Sequence, residues 1–113
     1  MRLGWLAALA ALASAVAAAQ GAPPQGKAED GADVYAAHCA GCHGPHMDDG
    51  EFGPSLKSAR IARTWGKVGP AALFGYAKAN MPPNQAGQLS DQEYADVVAL
   101  ILQANAAPAA GTP

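Results

Sequence analysis

Cys39-Ala40-Gly41-Cys42-His43 sets two thiols three positions apart and puts an imidazole directly behind the second. At a helix end, two thiols with this spacing can add to the two vinyl groups along one edge of a porphyrin. The residue that follows then delivers its ring to one face of the macrocycle, so that iron ligation becomes effectively intramolecular. Cys39 and Cys42 are the only cysteines in the 113 residues. A disulfide between them would close a tiny loop and add little stability. A thioredoxin-like redox pair needs a βαβ context, and the sequence has no strand pattern of useful length. Zinc would need Cys39, Cys42, His43 and His46 as its four donors, all within eight residues and with no second half-site. The motif therefore points to one covalently attached haem c, with Cys39 and Cys42 as the attachment points and His43 as the proximal iron ligand.

A low-spin haem needs a sixth ligand from the opposite face. Of the three methionines, Met1 belongs to the leader-like segment and Met47 follows His43 too closely to pass around the ring. Met81 remains as the distal iron ligand. It lies far downstream, next to Pro82 and Pro83, which stop the preceding helix and present Met81 on extended backbone. His38 and His46 are the other nitrogen donors, and both sit too near the attachment point to reach the far face easily. Pro54 has two open readings, as a turn residue in Gly53-Pro54-Ser55 or as the carbonyl that accepts the outer N–H of His43.

Around this centre the sequence divides into a leader, a lead-in, one domain and a tail. Residues 1–19 carry Arg2 and then an apolar, small-residue run from Leu3 to Ala19, which reads as a signal peptide. Export to the periplasm follows, with membrane attachment only if the leader is retained. Residues 20–30 read as a flexible lead-in rich in Gly, Pro and Ala, residues 31–105 as the domain, and residues 106–113 as a disordered tail. After leader removal Lys27, Lys57, Arg60, Arg63, Lys67 and Lys78 face nine acidic residues, a balance that argues against nucleic acid. Five of those cations lie between Phe52 and Ser90 with no acidic residue among them. They read as a solvated face or as a positive rim that steers an acidic partner.

The helix signals are all α. Val34, Tyr35 and His38 or Cys39 recur at helical spacing behind Glu29, Asp30 and Asp33, which favours a short first helix leading into the cysteines. Pro70 suits the first position of a helix over Ala71 to Ala79. In LSDQEYADVVALILQAN, Ser90 and Glu93 form a capping box, and Tyr94, Val97, Val98, Ile101 and Leu102 define one apolar face. Trp65 and Tyr76 either cover the cofactor or simply pack.

Taken in order, Gly31-x-x-x-Tyr35, CAGCHG, GPSL from Gly53 to Leu56, NMPP from Asn80 to Pro83 and the closing helix resemble the class I c-type cytochrome family. The resemblance spans Gly31 to Asn105. It implies an all-α cytochrome c fold in which the N- and C-terminal helices cross and the haem lies in the cleft, with His43 and Met81 as axial ligands. It also implies a non-enzymatic carrier that passes one electron at a time by outer-sphere transfer. The MPP and LSDQEYADVVALIL pieces are similar to haem domains serving periplasmic quinoprotein dehydrogenases. Such a dehydrogenase and a terminal oxidase are thus the candidate transient redox partners. Leu100 stands where many relatives have an aromatic residue. A Met81 absent from the iron would instead imply a sensor or peroxide-reactive haem, and a chain never free would be a dehydrogenase subunit.

Overall fold

A computed structural model of the chain describes residues 22–110. The leader assigned to residues 1–19 and the last three residues of the tail lie outside the described part. Five helices and no strand occur among the described residues: α1 (Ala28–His38), α2 (Ala40–His43), α3 (Ala59–Val68), α4 (Pro70–Asn80) and α5 (Asp91–Ala110). The all-α expectation holds.

The last helix starts where its capping box places it. Ser90 Oγ accepts from the Glu93 amide at 3.1 Å, and Glu93 Oε1 accepts from the Ser90 amide at 3.0 Å. Two N–H groups that a helix start would leave unpaired are thereby satisfied. Tyr94, Val97, Val98 and Ile101 are buried, as their spacing predicts, whereas Leu102 is only half-buried. Each such side chain contributes about 1.5–3 kcal/mol against the entropy of ordering it. Leu100 packs on the edge of this core. α5 runs to Ala110, five residues past the expected end at Asn105 and into the segment assigned to a disordered tail. Alanine, which dominates that stretch, is the strongest helix former, and its lack of apolar periodicity conceals this.

α1 packs mainly against α5. The crossing is close because Gly31 is buried against it, and a Cβ there would run into the backbone carbonyl of Asp96. Asp96 is itself buried; its Oδ1 accepts from the Lys27 amide at 2.8 Å and from Gln92 Nε2 at 2.8 Å. A carboxylate from α5 thus sits at the positive end of α1. Gln92 also donates to the Gln25 carbonyl at 2.8 Å. The lead-in assigned to residues 20–30 is therefore docked on α5 from Gln25, and α1 begins at Ala28 and not at Gly31. The sequence hides this because the partner groups lie far along the chain.

α3 has no counterpart among the elements read from sequence. Only Ile61, Ala62 and Trp65 mark an inner side, between exposed Arg60, Arg63 and Lys67. Ser58 caps it, its Oγ accepting from the Ile61 amide at 3.2 Å. Gly69, at φ 90°, ends α3 and hands over to Pro70, which opens α4 as expected. Asn105 then ties α5 to the loop before α3. Its Nδ2 donates to the carbonyls of Leu56 (2.7 Å) and Ile101 (2.8 Å), and its Oδ1 accepts from the Ser58 amide (3.1 Å).

Candidate functional site

Cys39 sits at the break between α1 and α2. Its amide donates to the Tyr35 carbonyl at 2.9 Å, and its own carbonyl accepts from the amides of Cys42 (3.2 Å) and His43 (3.0 Å). One turn of helix therefore carries both thiols and the imidazole. The thiols are unpaired. Burial, and then the neighbouring Cys42, push the Cys39 thiol up to about 11, so it stays protonated at neutral pH. A protonated, half-buried thiol lacks the depressed pKa of a redox nucleophile. Tyr35 secures the far end of this turn, donating its hydroxyl to the Gly44 carbonyl at 2.7 Å. Burial is the main reason that its phenol rises to about 12.

His43 is 7 % exposed, with its Nδ1 2.8 Å from the Pro54 carbonyl oxygen. A carbonyl only accepts, so Nδ1 carries the proton and Nε2 keeps its lone pair for a ligand. Of the two readings open for Pro54, the acceptor role is formed. Gly53 makes room for it, since a Cβ there would stand 2.7 Å from His43 Nδ1. The Gly53 amide also donates to the Cys42 carbonyl at 2.8 Å, fastening this loop to the thiol-bearing turn.

Met81 caps α4 in extended backbone (φ −123°, ψ 148°), as the two prolines predict, and is half-buried. Its amide donates to the Ala77 carbonyl at 2.7 Å, and its carbonyl accepts from the Tyr94 hydroxyl at 2.7 Å. Sequence reading took Tyr94 as an apolar core residue and missed its polar end. The available signal was a phenol on a buried face, which must find a partner.

The other donors are accounted for differently. Met47 is buried in the hydrophobic core, at φ 70°. His38 is exposed. His46 is exposed and donates from Nδ1 to Asp49 Oδ2 at 2.7 Å; this bond, with the His46 amide, holds the Asp49 carboxyl below its usual range. Among the described residues no three His, Cys, Asp or Glu side chains converge as a metal site. Trp65 stacks obliquely on Tyr76, with centroids 5.4 Å apart. The five cations of the basic segment are all exposed, and Lys78 pairs with Asp91 at 2.8 Å.

A donor set of two free thiols on one turn and an imidazole with its outer nitrogen already tied fits a covalently attached porphyrin. No helix among the described residues is long and apolar enough to cross a membrane. Residues 26–101, which include Cys39, Cys42, His43 and Met81, match the family model described as cytochrome c oxidase, cbb3-type, subunit III. No curated protein matches the chain.

Proposed function

The chain belongs to that family of class I c-type cytochrome domains, and from this premise we propose an exported, non-enzymatic carrier with one haem c, which passes single electrons between transient protein partners. Haem binding and electron carriage are the general property of c-type cytochromes. The single observation that supports the residue assignment best is the His43 Nδ1–Pro54 bond beside two unpaired thiols.

When bound, haem supplies a one-electron iron couple. Cys39 and Cys42 would hold it as thioethers. His43 would offer Nε2 to the iron, and its bond to Pro54 fixes the ring's orientation. Met81 would supply the second ligand, a soft thioether, which favours the reduced state. With both ligands supplied by the chain's own residues, the chemistry haem would supply here is outer-sphere electron transfer. Partner contact is then small and short-lived, with a periplasmic dehydrogenase and a terminal oxidase as the candidate donor and acceptor. Export rests on the leader-like residues 1–19.

Visible spectra of the purified protein with and without reductant, and under carbon monoxide, test the ligand set. The expected result is a low-spin spectrum in both states, unchanged by carbon monoxide. A reduced form that binds carbon monoxide readily would contradict Met81 as a firm ligand.

A further inference from the structure

Tyr94 is 1 % exposed, the one large side chain shut wholly inside the described fold. A phenol buried so deeply costs stability unless its hydroxyl is bonded. This one is bonded twice, donating to the Met81 carbonyl at 2.7 Å and accepting from the Gly87 amide at 2.9 Å. The Met81 N–H is meanwhile held by the Ala77 carbonyl at 2.7 Å. Met81 is thus fixed from α4 through its amide and from α5 through its carbonyl. The same phenolic oxygen anchors Gly87, so that residues 81–87 form a loop closed on one hydroxyl. Phe74 sets the phenol from the α4 side, in an edge-on contact with centroids 6.4 Å apart.

We infer that Tyr94 is a positioning residue for Met81, holding the thioether at the iron without touching the iron itself. The inference rests on the reading of Met81 as the distal ligand. Without the hydroxyl, two backbone groups lose their partner and the loop is released on one side, so Met81 competes less well for its place. His43 is tied separately, through Pro54, and keeps its orientation.

Imidazole titration of the ferric protein reads the competition, because imidazole binds only where Met81 has left. Tyr94→Phe is expected to raise the apparent imidazole affinity about five- to tenfold, the worth of one hydrogen bond. Val98→Ala, which removes core volume one turn along α5, is expected to lower thermal stability and leave that affinity unchanged. Equal affinities in wild type and Tyr94→Phe, both with the weak long-wavelength band of thioether-ligated ferric haem, would overturn the role of Tyr94 and leave Met81 as ligand. A wild-type protein without that band would overturn the ligand itself. If Tyr94→Phe does not fold, hydrogen exchange at the Gly87 amide decides in wild type: slow exchange that becomes fast on imidazole addition is expected, and exchange at the rate of an open loop would contradict the clamp.

Discussion

His43 donates its Nδ1 proton to the carbonyl of Pro54 across 2.8 Å, and Gly53 between them has no side chain to block the approach. Gly53→Ala would place a methyl group 2.7 Å from Nδ1, a separation at which the ring must shift. The expected result is a protein that still attaches haem through Cys39 and Cys42 but has a perturbed spectrum and a lowered potential, read by redox titration. An unchanged potential would mean that the ring has room to adjust.

Gly31 stands where α1 and α5 come closest, against the carbonyl of Asp96. An alanine would gain about 1 kcal/mol of helix propensity. The clash at the crossing outweighs that gain, since overpacking a tight contact costs about 1–3 kcal/mol and here the obstacle is backbone. Gly31→Ala is therefore expected to lower the denaturant midpoint, and Gly31→Val to lower it further.

Asn105 satisfies two carbonyls and one amide from a buried position, 8 % exposed. Asn105→Leu would leave the Leu56 carbonyl and the Ser58 amide without a partner, at a cost of about 2–3 kcal/mol. Urea denaturation measures this. The loss is expected to exceed that of an exposed control such as Gln103→Leu.

The Glu93 carboxyl is held below its ordinary value of 4.5, first by the Ser90 amide and then by the Ser90 hydroxyl. A carboxyl depressed in the folded state gives stability that is present above 4.5 and lost as pH falls through its folded value. Glu93→Gln keeps an acceptor in the capping box and removes the titration. Denaturation followed from neutral to acid pH is expected to show a shallower acid limb in this variant, with the residual slope owed in part to Asp49.

Features written in short-range chemistry were legible in the sequence. The capping box, the Pro70 start and the presentation of Met81 before two prolines each depend on neighbours within a few residues, and the structure reproduces them. The groups that join distant parts of the chain were not legible. Asp96 is one of nine acidic residues with no local signal to single it out until α1 is laid across it, and Asn105 stands as a helix end until Leu56 and Ser58 come under it. The Tyr94 hydroxyl finds Met81 only because α4 and α5 pack together. α3 was hidden by its short apolar side and its many cations, and is fixed chiefly by Ser58 and Gly69 at its ends.

The assignment of Cys39 and Cys42 as haem attachment points is tested most directly by the intact mass of the purified protein under denaturing conditions. The expected mass is that of the polypeptide plus one haem, lost when both cysteines are replaced by alanine. The mass of the bare polypeptide, or of one lighter by the two hydrogens of a disulfide, would contradict it.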